Sequence, residues 1–284
     1  MGFFKSLFTG KIETREEQQE NDAQRNFDIL KYDGVKALRY HDMAQAERCF
    51  TAALNIKDDL EVRDYLSQAY INNGQFEEAM NELEILLRAE PDNRELLMRM
   101  VQVTFMKEDY AHMEELCQQT IGMEGDNTFF KFMYARAKRG LGQTEDALEW
   151  LDKTLADNER IVDARLLRGD LLIETGRLEE AAEEAQWMLE HVSDNEDVLM
   201  FQVRVQQAQG DLDGAIATCG QVIELNPFNV QAYQTRSELR KNTGDREGAA
   251  EDQRLAAEIA PEGNVEDIEQ QVNEAYRNTN PFGI

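Results

Sequence analysis

Few side chains in this 284-residue chain could carry chemistry. The three histidines, His41, His112 and His191, are the first candidates for proton transfer or metal binding, because imidazole titrates near neutrality and ligates metals. No two of them lie within one helical turn, so they make neither a catalytic pair nor a metal site. The three cysteines, Cys49, Cys117 and Cys219, are far apart and odd in number, without the CxxC or Cys/His spacing of a zinc site. Free thiols fit a reducing compartment better than a disulfide framework. No serine or cysteine sits in a nucleophile elbow. Gly140 and Gly142 in RGLGQTED form a GxG, but the strand before it and the third glycine that phosphate binding needs are missing. Acidic pairs such as Glu179/Glu180 and Glu183/Glu184 read as solvated charges on helix faces. These residues point to no reaction. The expectation is a protein that is not an enzyme and uses no cofactor and no metal.

Composition narrows the partners. Acidic residues number 57 against 30 basic ones, a net charge of −27. Such a surface repels nucleic-acid phosphates, whose binding depends on clustered Lys and Arg, and it favours solubility. Hydrophobic residues at 42% give enough apolar surface for a folded core, and only four prolines leave room for many uninterrupted helices. The opening MGFFKSLF is apolar but short and is interrupted by Lys5, with no small-residue cleavage site after it. No run approaches the roughly 18 apolar residues that span a bilayer. The expected location is the cytoplasm.

The elements that position these residues follow from a repeat. Ala46, Ala79, Ala147, Ala181, Ala215 and Ala249 form a ladder with Met113 on the remaining rung, stepping by 33 and then by 34 five times. Five residues before each rung stands a turn residue: His41, Gly74, Glu108, Gly142, Gly176, Gly210 and Gly244. Eight residues after each rung comes Leu54, Leu87, Ile121, Leu155, Leu189, Ile223 or Ala257. Twelve after, in three repeats, come Pro91, Pro227 and Pro261. Glycine can take positive φ and close a helix C-terminus. Alanine lets two helices cross closely, the later apolar residues continue that face, and proline ends the second helix. Each unit therefore reads as a helical hairpin of about 34 residues.

Stretches such as AYINNGQFEEAMNELEILLRAEPDN and VQQAQGDLDGAIATCGQVIELNPFN resemble the tetratricopeptide repeat family. Seven repeats fit, at 27–60, 61–93, 94–127, 128–161, 162–195, 196–229 and 230–263, together 27–263. The third departs most, with Met113 for the small residue and no glycine. The expected fold is an all-α solenoid superhelix of helix-turn-helix repeats. Residues 1–26 read as a partly flexible N-terminal segment. Residues 264–278 read as a capping helix, with Asn264 as N-cap and Val265, Ile268, Val272 and Tyr276 at helical spacing. Residues 279–284 form a tail, in which Asn280 to Ile284 is a candidate docking peptide. Two charge pairs fit the antiparallel geometry of a hairpin: Arg168 with Glu184, and Arg236 with Asp252.

The resemblance implies a protein-interaction scaffold that binds a peptide or helix in a concave groove lined by the first helices. The groove stripe falls 13, 10, 9, 6, 3 and 2 residues before each turn residue. It picks out Met98, Arg99, Gln102, Phe105 and Met106 in the third repeat. In the fourth it gives Phe129, Phe132, Met133, Arg136 and Arg139, and in the sixth Met200, Phe201 and Arg204. Aromatics, Met and Arg are the types enriched in interface hot spots. Three arginines of the third and fourth repeats stand against Glu95 alone, about +2, so the expected protein or peptide ligand joins an aromatic or aliphatic residue to an acidic group or phosphate. Some family members grip a C-terminal carboxylate with Lys and Asn on first helices. Lys31 and Arg99 occupy such places, but Val35 and Glu95 do not match, so that role is not expected. The alternative reading is a membrane-associated adaptor, anchored by Phe3, Phe4, Leu7 and Phe8 beside Lys5, with Gly2 and Ser6 matching a loose myristoylation pattern.

Overall fold

The computed structural model describes residues 15–123, 125, 127–192 and 194–260. Among them the chain forms fourteen helices and no strand. In order they are α1 Arg15–Arg39, α2 Met43–Ile56, α3 Leu60–Asn72, α4 Phe76–Ala89, α5 Arg94–Met106, α6 Tyr110–Ile121 and α7 Thr128–Gly140. They continue as α8 Thr144–Asp157, α9 Val162–Glu174, α10 Leu178–His191, α11 Glu196–Gln209, α12 Leu212–Leu225, α13 Val230–Thr243 and α14 Arg246–Ile259. Successive pairs make seven helix-turn-helix units, the all-α solenoid class that the repeat predicts. The proposed capping helix 264–278, the tail 279–284 and residues 1–14 lie outside the described residues.

The hairpin turns explain why the period holds. All seven turn residues sit at positive φ: His41 57°, Gly74 73°, Glu108 57°, Gly142 73°, Gly176 74°, Gly210 80° and Gly244 90°. The next amide then donates to the carbonyl five residues back, as in Asp42 N to Ala37 O at 2.9 Å, Asp109 N to Thr104 O at 2.9 Å and Asp245 N to Arg240 O at 2.8 Å. That six-to-one bond satisfies an otherwise orphaned helix carbonyl, and it needs the left-handed residue just before it. The same amide-bearing residue often starts the second helix. The carboxylates of Asp42, Asp109, Asp211 and Asp245 accept from backbone N–H groups three residues on, at 2.9–3.2 Å.

All six ladder alanines and Met113 are buried. Close approach of helices also rests on two glycines within first helices. A Cβ on Gly34 would stand 2.5 Å from the Phe50 ring, and one on Gly169 only 2.1 Å from the Phe201 ring.

Two compact units divide the chain, residues 1–116 and 117–284. The division falls inside α6, in the third repeat, the one whose sequence departs most from the others. In unit 1, Phe27, Phe50, Val62 and Leu66 form one core cluster. In unit 2, Val203, Cys219, Val222 and Leu239 belong to another. Helix α1 starts at Arg15, earlier than the repeat boundary at 27, so residues 15–26 of the expected partly flexible segment are helical. Their composition, REEQQENDAQRN, has no apolar period to reveal this, and none of them is buried.

Candidate partner-binding surface

Ionic groups inside the hairpins show which charges are already used. Three residues past the ladder alanine, the second helix carries Glu82, Glu184 or Asp252 in three of the repeats. Each meets arginine from its own first helix. Arg63 Nη1 donates to Glu82 at 2.6 Å. Arg165 and Arg168 both donate to Glu184 at 2.7 Å. Arg236 donates to Asp252 through Nε and Nη2 at 3.0 and 2.7 Å, and Arg240 adds a third bond at 2.9 Å. The expected pairs Arg168–Glu184 and Arg236–Asp252 therefore form. Arg165 and Arg240, the additional partners, lie one helical turn away on the same face and were legible only by that spacing. The Asp252 side chain is 1% exposed, and a carboxylate so buried persists only when paired. Its hydrogen bond holds the Arg236 guanidinium above its ordinary pKa. Trp187 is covered too, with the Arg165 guanidinium 3.5 Å from its ring centroid and the His191 ring stacked at 4.2 Å. These groups stabilise hairpins and are not offered to a ligand.

The first-helix stripe behaves differently in the two units. In unit 2, Phe132, Met133, Met200 and Phe201 are buried, at 2%, 3%, 6% and 0% exposure. They are core residues, which corrects the expectation that they contact a partner. The reason is local for Phe201, whose ring fills the space above Gly169 of α9. Phe129 is half-buried and packs edge-on against Phe130 at 5.1 Å. Arg136 lies 5.6 Å from the Phe132 ring centroid. Arg204 Nε reaches Asp170 at 3.0 Å, and exposed Arg139 reaches Glu174 at 3.5 Å.

In unit 1, Met98, Arg99, Gln102 and Phe105 are half-buried. Arg99 Nη2 meets Asp64 of α3 at 2.5 Å. Asp64, Asp170 and Glu174 occupy stripe positions of their own, so the basic focus expected from Arg99 and Arg139 is largely cancelled by carboxylates on neighbouring first helices. Lys31 Nζ similarly meets Glu61 at 2.5 Å and Asp59 at 3.7 Å. Partial burial draws its pKa down, but the Glu61 bond and the Asp59 charge outweigh this and leave it raised. With Lys31 and Arg99 both engaged, the terminal-carboxylate grip remains unsupported.

Helix α1 carries two large exposed side chains. Ile29 is 48% exposed and Tyr32 70% exposed. Tyr32 falls nine residues before His41, at the stripe phase that Tyr65 and Arg99 occupy in the next two repeats. Applying the spacing rule to the first repeat would have found it. Tyr65 donates its hydroxyl to Glu61 at 3.2 Å and stacks on Phe50 at 5.6 Å.

Two tetratricopeptide-repeat profiles match, one over residues 60–103 and one over residues 132–189. The chain is a tetratricopeptide-repeat protein. No curated protein sequence matches this tetratricopeptide-repeat chain. Solved structures share its fold. A tetratricopeptide repeat protein from Parabacteroides merdae is 16% identical, with TM-score 0.69, covering 88% of this chain and 98% of its own. PilW, described as a widely conserved type IV pilus biogenesis factor, is 16% identical, with TM-score 0.62, covering 72% and 95%. PilF of Pseudomonas aeruginosa is 16% identical, with TM-score 0.57, covering 78% and 99%. Among the described residues, no helix is long and apolar enough to cross a membrane, and no group of three His, Cys, Asp or Glu could hold a metal ion.

Proposed function

We propose that this tetratricopeptide-repeat protein is a non-catalytic scaffold that captures a partner peptide or helix on its first-helix faces, anchored mainly by unit 1. The repeats support a protein-interaction scaffold in general terms. The observation that carries the finer reading is Tyr32, large and 70% exposed at the stripe phase of α1, with exposed Ile29 one helical turn before it. Met98 and Phe105 of α5, half-buried, extend the apolar character within the same unit. Charges beside them are already paired, so the ligand's recognition element is a large apolar residue. An acidic or phosphate group would compete with Asp64 for Arg99 and adds selectivity only. In unit 2, Phe129, Arg136, Arg139 and Arg204 remain proposed contacts, while the four buried residues support them from beneath.

The test uses a partner identified by photo-crosslinking from position 32 and then purified. Tyr32→Ala and Met98→Ala should each weaken binding by about thirtyfold, roughly 2 kcal/mol, with the melting temperature unchanged. Gln234→Ala in α13 should change little. If Tyr32→Ala and Met98→Ala bind as wild type, unit 1 is not the anchor.

A further inference from the structure

Only in the second of the seven hairpins does asparagine stand just before the left-handed turn residue. Elsewhere that place holds Tyr40, Lys107, Leu141, Thr175, Gln209 or Thr243. Asn73-Gly74 is also the one Asn-Gly pair in the chain. Such a pair carries chemistry of its own. The carboxamide carbon of asparagine lies within five-membered-ring reach of the next main-chain nitrogen, and glycine puts no side chain in the way. Gln209-Gly210 shares the turn but would need a six-membered ring. Asn73 and Gly74 are exposed, and a Cβ on Gly74 would meet nothing within 4 Å, so water reaches the turn.

The folded turn restrains the pair. Asn73 caps the C-terminus of α3 at φ −95° and ψ 3°. At that ψ the Gly74 nitrogen stands about a third of a turn from Cβ around the Cα–C bond, whereas ring closure needs the two eclipsed. The nitrogen is also engaged, because Gly74 N donates to Ile71 O at 3.1 Å, and Gln75 N fixes the next residue by donating to Tyr70 O at 2.9 Å. Asn73 Nδ2 donates to Gln75 Oε1 at 2.7 Å, which holds the carboxamide. Reaction therefore waits for the turn to open, and exposed turns open at lower free-energy cost than the helices they join.

We propose that Asn73 is a self-modification site, converted to isoaspartate and aspartate whenever the turn of the second repeat opens. The Gly74 nitrogen attacks Asn73 Cγ and gives up its proton, and the side-chain nitrogen leaves with that proton as ammonia. The product is a cyclic succinimide. Water, the only co-reactant, then adds to one of the two ring carbonyls, and the ring C–N bond there breaks. Opening at the main-chain carbonyl leaves isoaspartate, with the chain running through Cγ. Opening at Cγ leaves aspartate. Both products place a negative charge at the C-terminal end of α3, where the helix dipole disfavours it. Isoaspartate also lengthens the main chain by a methylene, so the amides of Gly74 and Gln75 lose register with the carbonyls of Ile71 and Tyr70. The modification thus holds open the turn whose opening allowed it. Partner capture plays no part in this chemistry.

The full-length chain is aged in mildly alkaline buffer, either folded or unfolded in guanidinium chloride. Tryptic peptide 64–88 is then mapped by mass spectrometry, with electron-transfer fragmentation to tell isoaspartate from aspartate. Isoaspartate should accumulate at position 73 in the folded chain, about tenfold or more slowly than in the unfolded chain, because only the open turn reacts. Asn73→Gln should remove it in both states. A folded chain that forms none while the unfolded chain does overturns the proposal, and so does product at Asn72 or Asn81 in place of Asn73. Equal rates in the two states overturn the gating by the turn. Ion exchange separates the modified chains through their added charge, and their amides over 74–79 should exchange with solvent faster than the parent's. Equal exchange there overturns the held-open turn.

Discussion

The first helices of the two units share one repeat phase and present different surfaces. At the positions ten and nine residues before the turn, unit 1 carries Lys31/Tyr32, Asp64/Tyr65 and Met98/Arg99, and none of these six is buried. The first three hairpins of unit 2 carry Phe132/Met133, Leu166/Leu167 and Met200/Phe201, and five of these six are buried. Side chains that end in a charge or hydroxyl cannot be taken into a core without a partner, whereas Phe and Met fill it readily. At five of these six unit 1 positions residue chemistry thus keeps the side chain out of the core, and Met98 is half-buried without that reason. Large hydrophobic residues at this repeat phase mark packing in unit 2. In unit 1 the residues at this phase stay half-buried, and Tyr32 is exposed.

The contrast can be broken by substitution. The largest effect should come from Phe201→Ala, which removes a fully buried ring over Gly169 and should cost about 3–5 kcal/mol in urea unfolding. A loss below about 1 kcal/mol would return Phe201 to the list of surface contacts. Asp252→Ala should cost about 3 kcal/mol, because it strands Arg236 and Arg240. Unfolding curves that overlay the parent would mean the clasp is solvated.

Cys219 offers a pH test of burial in unit 2. Burial pushes its thiol from 9.0 to about 11. The unfolded chain therefore loses this proton first, and stability should fall from about pH 9 until about pH 11, where the folded thiol also ionises. Cys219→Ala should flatten that part of the profile, and an unchanged slope would place the effect elsewhere. Glu108→Gly and His41→Gly should each stabilise unit 1 by about 0.5–1 kcal/mol, since both native residues hold positive φ with a Cβ. Thermal melts that move downward would show that these side chains do something beyond the turn. Smallest of all, Tyr32→Ala should stay within about 0.5 kcal/mol of the parent, as a residue 70% exposed should.

The hairpins were legible because their determinants are local. A left-handed turn residue, a small crossing residue and a capping Asp act within about ten residues, and even His41 and Glu108 were placed correctly without glycine. The pairs Arg168–Glu184 and Arg236–Asp252 were legible for the same reason, both partners lying in one hairpin. What the spacing did not reveal depends on the preceding repeat. Nothing in α11 says that Phe201 will be buried; Gly169, 32 residues earlier, opens the space. Nothing in α5 says that Arg99 will be neutralised; Asp64 of α3 does it. The start of α1 at Arg15 escaped notice because a polar helix has no hydrophobic period to read.

The thiols give the molecule a built-in set of local clocks. Cys49 lies in α2, Cys117 in α6 and Cys219 in α12, all buried in second helices. A reagent that modifies thiols reaches each one only when its own hairpin opens, so three labelling rates under native conditions rank the opening of the first, third and sixth repeats. No mutation is needed. Where one repeat breathes faster than its neighbours, the chain itself keeps the record, one sulfur atom at a time.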